Sequence, residues 1–203
     1  LTYKSYEEIK KNVNTLPCRI SILHNGIDTS KFYPLPAPEK QDLRKTFQME
    51  NKTIFVWCSQ DRPKKGLHII LDVWKRIYRS NTNIELWIIG TEKKQNVEGI
   101  KYIGKIPNKV LGKYYQMADV YLFSTLCQEG FSLSLTEALH CGCYCIASAL
   151  GGVPEVLEYG KYGKLIENPN FIDEWITAIE NYLRGEYENL PLPKDIYSKE
   201  AWN

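Results

Sequence analysis

The sequence predicts an α/β domain, with helices on both faces of a mostly parallel sheet, and three observations predict it. Short apolar runs rich in Ile, Val, Phe, Trp and Cys alternate along the chain with longer amphipathic stretches. The apolar runs are near-continuous rather than alternating, as expected of parallel strands covered on both faces. The glycine-, serine- and charge-rich segments follow the apolar runs, so strand-helix-strand crossovers would gather them on one rim.

Taken in order, Arg19–Leu23, Thr53–Cys58, Ile84–Ile89, Val120–Phe123, Tyr144–Ala147 and Lys164–Ile166 read as buried strands, with Tyr102–Ile103 a minor one. Leu67, Ile70, Leu71, Trp74, Ile77 and Tyr78 recur at helical spacing. Asn108 can cap a helix running to Met117. Ser132 or Ser134 can start one that ends near Cys141-Gly142, where glycine suits the C-terminal side. Phe171, Trp175, Ile176, Ile179 and Leu183 form a last stripe closed by Gly185, and these aromatic stripes read as core. The proline-rich Tyr33–Pro38 reads as a loop and Glu186–Pro193 as an irregular surface segment.

With 203 residues the chain is long enough for one domain with a substantial core. A formal net charge of +2 gives no field that argues for nucleic acid or an acidic membrane surface. No apolar run has the length of a membrane span. The start at Leu1 and the end at Asn203 read as a fragment of something longer. Among the six cysteines, Cys141, Cys143 and Cys145 alternate. They read as small hydrophobes of a strand, because no Cys-x-x-Cys pair or histidine cluster completes a metal-ligand set. Reduced thiols and a cytosolic setting follow. His68 and His140 read as surface or boundary residues, and His24 as facing a domain junction. A dinucleotide glycine fingerprint, a phosphate-binding P-loop and a Ser-His-Asp arrangement are all missing from the sequence.

Three segments can carry chemistry. In Ser124–Cys141 a strand end is followed by Glu129-Gly130-Phe131 and then by a helix start. Free amides there bind phosphate, Gly130 permits close backbone approach, and a carboxylate such as Glu137 can chelate a vicinal diol. The plainer reading of Glu137 is a favourable charge near a helix start. In Ser59–Gly66, Arg62, Lys64 and Lys65 crowd a turn and can neutralise a diphosphate, or can simply be a solvated basic loop. In Ala149–Glu155, Gly151-Gly152 punctuates a strand-to-helix turn and can approach a ligand.

Together these segments resemble the C-terminal domain of the family-4 (group 1) glycosyltransferases of GT-B fold. The resemblance runs from Ile20 to Leu183 and is carried by pieces in family order: His24–Asp28 with Phe32–Pro34, Lys65-Gly66, Trp87–Gly90, Tyr114–Asp119 with Ser124, Glu129 to Glu137 at Glu-x7-Glu spacing, and Gly151–Glu155. The resemblance implies a Rossmann-like domain over residues 18–185, with residues 1–17 as interdomain linker and 186–203 as a tail returning toward an N-terminal acceptor-binding domain that the chain lacks. It implies that Arg62 and Lys65 grip the donor diphosphate and that Glu129 contacts the transferred sugar, these three being the catalytic set. Donor binding would fall to Gly90, Lys105, Ile106, Glu129, Gly130, Phe131, Ser132, Leu133 and Glu137, with the amides from Phe131 to Leu133 on hydroxyls or phosphate, Glu137 on the ribose, and Lys105-Ile106 at the base edge.

The donor implied is a nucleotide-diphospho-sugar, with no cofactor, no metal in the site, no nucleic-acid partner, and membrane contact only through the missing domain. Configuration would be retained. The sequence departs from the family pattern where a family arginine sits five residues before the lysine. Gln60 stands there, and either the loop is rearranged so that Arg62 reaches the same phosphate, the reading adopted, or that contact is weaker. The alternatives are a non-catalytic nucleotide-sugar-binding or assembly module, which would not need Glu129, Glu137 and Lys65, and a sugar-nucleotide epimerase of related fold, against which the Glu-x7-Glu spacing speaks.

Overall fold

The computed structural model describes residues 2–13, 15, 18–92 and 96–200, so the linker and tail expected at 1–17 and 186–203 lie partly outside the described residues. Six strands, β1 Thr53–Cys58, β2 Ile84–Ile89, β3 Ile100–Gly104, β4 Val120–Phe123, β5 Tyr144–Ser148 and β6 Gly163–Ile166, form one sheet in the order β3-β2-β1-β4-β5-β6. Every adjacent pair is parallel. The helices are α1 Tyr3–Asn12, α2 Ala37–Thr46, α3 Leu67–Ile77, α4 Asn108–Met117, α5 Leu133–His140, α6 Val153–Val156 and α7 Ile172–Leu183. This is a Rossmann-like three-layer α/β/α architecture.

The layers follow from the two-residue period of the strands. Phe55, Trp57, Leu86, Ile88, Leu122 and Ile146 point to the face covered by α3 and α7, where Trp74 and Trp175 are fully buried. Ile54, Val56, Trp87, Ile89, Tyr121 and Cys145 point to the face covered by α4 and α5. The strand order reverses beside β1, so the helices that follow β1 and β4 go to opposite faces of the sheet, and a doubly wound sheet opens its crevice there.

Several expectations are corrected. Arg19–Leu23 is not a strand: the segment joins neither edge of the sheet, at β3 or at β6, and Ile20 and Leu23 are 39% and 56% exposed, so its apolar side chains are not those of a covered strand. The Tyr33–Pro38 loop gives way at Ala37 to α2, whose first turn holds Pro38, where a missing N–H is harmless. The minor strand at Tyr102–Ile103 is a full edge strand with a bulge opposite Ile88–Ile89. Asn108 is the first residue of α4 rather than its cap, which is Pro107. Phe171 is 55% exposed and caps α7 instead of entering the core. Only Cys145 of the alternating cysteines lies in a strand, although all three are buried. His140 is buried, since the tail crosses over it and its Nε2 lies 2.7 Å from the Ile196 carbonyl oxygen.

Asp119 fastens the amino-terminal ends of the strands. Its carboxylate accepts from the Ile54 amide at 2.9 Å and pairs with Lys40 at 3.1 Å and Arg44 at 2.6 Å. The two cations also donate to the Ala118 and Met117 carbonyls, so α2, an element with no fully buried residue, is held by charge together with half-buried Leu43. Removing one partner of a shielded ion cluster strands the others. Asp119→Ala should therefore lower stability by about 3 kcal/mol in a urea titration, with little change in the denaturant slope.

Candidate functional site

The site is assembled where the loops after β1 and β4 meet. The first loop tightens into a short 3-10 turn, Pro63–Lys65, and Gly66 then adopts φ +68° to start α3. A Cβ at Gly66 would lie 1.9 Å from the Ser124 carbonyl oxygen, so glycine is needed for the two loops to pass. Ser124, just past β4, accepts from the Trp57 indole N–H and donates to the Lys65 carbonyl, both at 3.0 Å. The Leu126 amide donates to the Lys64 carbonyl at 2.7 Å. The backbone that carries Lys65 is thus fixed to the backbone that leads to Glu129.

From these anchors the Lys65 ammonium reaches the Glu129 carboxylate, with Nζ 2.5 Å from Oε1. The same oxygen accepts from the Thr125 hydroxyl at 2.8 Å and from the Cys127 thiol at 3.6 Å. Burial pushes the Glu129 carboxyl up, but Lys65 and Thr125 outweigh it and hold it below the ordinary range. Arg62 is exposed on the same loop and makes no ion pair among the described residues.

Gly151 and Gly152 pack against the backbone that carries Glu129. A Cβ on Gly151 would come within 2.4 Å of the Glu129 nitrogen, and one on Gly152 within 2.1 Å of the Gly130 oxygen. The Gly152 amide donates to the Glu129 carbonyl at 2.7 Å. Gly90 is also a packing glycine: it sits against the Ser59 carbonyl, and its amide is bonded to Gly104. Gly130 has open space where a Cβ would stand.

Beyond Gly130 the chain turns into α5. The Phe131 ring is buried, stacked on His24 with centroids 5.5 Å apart and edge-on to Tyr197, so only its backbone is left for a ligand. Ser132 caps α5 in the left-handed region (φ 63°, ψ 66°), a conformation that costs a non-glycine residue on the order of 1 kcal/mol. Its hydroxyl is buried and meets no partner among the described residues. The amides of exposed Leu133 and of Ser134 have no partner within the helix, whereas Leu135 and Thr136 donate to the Ser132 carbonyl at 3.1 and 3.2 Å. Strain, orphan donors and the positive end of the helix dipole coincide at a point suited to an anion.

Glu137 lies one turn further along α5, between the end of β1 and the start of α4. Burial pushes its carboxyl up to about 7, and the Asn108 amide pulls only partly the other way. Exposed Lys105 and half-buried Ile106 follow β3 on the same rim.

Sequence reasoning missed Thr125, Cys127 and Asn108, the neighbours of the two carboxylates, and nothing in their spacing marked them. It also missed the role of Glu155, whose carboxylate lies 2.5 Å from His24 Nε2 and accepts the Tyr3 amide of α1 at 3.1 Å. A hollow of about 230 Å3 on this rim is lined by Gln128, Gly151, Pro154 and Glu155. Another, of about 650 Å3, lies away from the rim between Tyr33, His140 and Leu192. Its position apart from Lys65, Glu129 and Glu137 separates it from the chemistry described above.

The raised Glu137 carboxyl has a measurable consequence. The folded chain binds a proton more tightly there than the unfolded chain does, so this site's contribution to stability is fully present below about 4.5 and is lost as pH rises to about 7. The loss should be roughly 1–2 kcal/mol, allowing for partial exposure. Glu137→Gln should flatten that part of the stability profile measured by chemical denaturation.

A sequence profile described as "Glycosyl transferases group 1" matches residues 39–199. The phosphatidyl-myo-inositol mannosyltransferase of Mycolicibacterium smegmatis is 25% identical over 150 residues, covering 70% of this chain and 37% of that protein. An Anabaena protein solved in complex with UDP-glucose superposes with a TM-score of 0.69 at 19% identity, covering 82% of this chain and 48% of that one. The C-terminal domain of a glycosyl transferase group 1 family protein from Francisella tularensis superposes with a TM-score of 0.64 at 18% identity, covering 78% of this chain and 88% of that one. The chain spans less than half the length of the first of these relatives. With four-fifths of its length matched and its sheet of the same architecture, the chain belongs to the group 1 glycosyltransferases, as a C-terminal domain of GT-B type.

Proposed function

We propose that this domain binds the nucleotide-diphospho-sugar donor of a retaining, metal-independent glycosyltransferase that passes the sugar to a glycan, lipid or other acceptor. The observation that carries the reading is the meeting of Lys65 and Glu129 at the sheet's switch point, beside a strained helix start with orphan donors. The relative with UDP-glucose bound and the mannosyltransferase relative support a sugar nucleotide as ligand.

In this reading the diphosphate lies on Lys65, Arg62 and the amides at Ser132-Leu133, with Gly130 leaving room for it. As the anomeric C–O bond breaks, negative charge grows on the leaving phosphate. Donors fixed toward that charge stabilise the transition state more than the ground state. Lys65 and Arg62 supply this without a metal, and the leaving phosphate can take the acceptor's proton on the face where the bond broke. Glu129 holds sugar hydroxyls and Glu137 the ribose diol, with the base toward Lys105-Ile106. The acceptor is bound by a separate N-terminal domain. The six unpaired thiols support a cytoplasmic setting, and no helix among the described residues is long and apolar enough to cross a membrane.

Thermal-shift and calorimetric titrations with uridine and guanosine diphosphates and their hexose conjugates test the reading. A ligand at 100 times its dissociation constant should add about 2.7 kcal/mol of stability. Lys65→Ala should weaken nucleotide binding at least about tenfold, or 1.4 kcal/mol. Equal affinity in the variant and the parent would remove Lys65 from the phosphate clamp. Ribose hydroxyls donating to Glu137 favour its ionised form, so binding near pH 6.5 should release a proton, seen as a buffer-dependent heat. If the heat is the same in every buffer, the ribose assignment fails.

A further inference from the structure

We infer that the Lys65–Glu129 pair is an exchangeable contact by which the site prefers a sugar nucleotide to the bare nucleoside diphosphate, easing release of the spent nucleotide. The inference rests on the donor-site reading above and adds to it a selectivity between two ligands that share every phosphate contact.

In the structure Lys65 and Glu129 neutralise each other. Their side chains are only 24% and 17% exposed, so water replaces either partner poorly. A diphosphate that takes the Lys65 ammonium for itself leaves a carboxylate close by, supported among the described residues by Thr125 and Cys127. Two anions then face each other in a partly dehydrated rim, where such repulsion is strong. A sugar nucleotide avoids this. Its phosphate takes Lys65, and its sugar hydroxyls donate to Glu129 in place of the ammonium, so each charge changes partner and none is stranded.

The scaffold permits the exchange to be local. Lys65 is anchored through its carbonyl to Ser124, and its neighbour Lys64 through its carbonyl to Leu126. Glu129 is anchored through its carbonyl to the Gly152 amide and wedged against Gly151. Both backbones are therefore held while the side-chain tips trade partners. Arg62, exposed and outside any ion pair among the described residues, can meet the phosphate first. Once the sugar has been transferred, Glu129 loses its hydroxyl donors, and recapture of Lys65 by the carboxylate competes with the remaining diphosphate.

Calorimetric titration of this chain and its variants with uridine diphosphate, guanosine diphosphate and their glucose and mannose conjugates tests the exchange. Glu129→Gln keeps the shape and removes the charge. It should bind the bare diphosphate about tenfold more tightly than the parent and bind the sugar nucleotide no more tightly, collapsing the preference. Glu129→Asp keeps the charge and should leave diphosphate affinity within about twofold. Diphosphate affinity unchanged or reduced in Glu129→Gln, in a variant whose thermal unfolding remains cooperative, overturns the exchange. So does an equal gain in Glu129→Asp, which would make the effect one of space and not of charge. Lys65→Ala separates the two levels: loss of nucleotide binding there with no gain in Glu129→Gln rejects the exchange alone, whereas unchanged binding in Lys65→Ala rejects the phosphate clamp as well.

Discussion

The rim of this domain depends on backbone passing backbone with no room for a side chain between. Gly66 meets the Ser124 carbonyl, Gly90 that of Ser59, and Gly151 and Gly152 meet the backbone at Glu129-Gly130. Loops packed in this way have little freedom, because their carbonyls and amides are joined directly, as from Gly152 to Glu129 and from Leu126 to Lys64. The side chains they carry begin from fixed points. That is how two residues 64 positions apart in sequence come within hydrogen-bond distance on loops rather than on rigid elements.

Charge is divided between the two ends of the sheet. At the amino-terminal ends of β1 and β4, Asp119 joins Lys40, Arg44 and the Ile54 amide in a closed cluster whose donors are spent on carbonyls and carboxylate. At the carboxyl-terminal ends, Lys65 has one carboxylate partner, Arg62 has none among the described residues, and Ser132 keeps an orphan hydroxyl. The first set is satisfied internally and stabilises the fold. The second is incompletely satisfied, as is expected where a ligand supplies the missing partners.

The sheet was legible because buried parallel strands are continuous in apolar residues. Thr53–Cys58, Ile84–Ile89 and Val120–Phe123 needed no context to be read, and the stripes of α3 and α7 stand at helical spacing. Arg19–Leu23 has a strand's composition but pairs with no strand, and composition cannot report whether a partner strand exists. α1 and α2 contain no fully buried residue, so no apolar period announced them. The candidate site was legible as chemistry attached to strand ends, in Lys65, Glu129 and Glu137. The glycines' task was not: a ligand-facing glycine and one facing a carbonyl look alike in sequence. His24, Thr125 and Asn108 acquire their partners only through folding.

The two ends of the described chain also meet. After α7 the tail crosses to the opposite face, covers His140, and brings Tyr197 against Phe131 and His24. Ser198 then lies parallel to Ile27, joined by the Ile27 amide to Tyr197 at 2.9 Å and the Lys199 amide to Ile27 at 3.1 Å. In a parallel pair the incoming and outgoing segments leave from opposite ends. Tension applied between them therefore loads both hydrogen bonds at once, in shear, and does not peel them apart one after the other. Tension between the segment before Ile27 and the segment after Ser198 would load this short clasp beside Phe131 before it reached the six-stranded sheet.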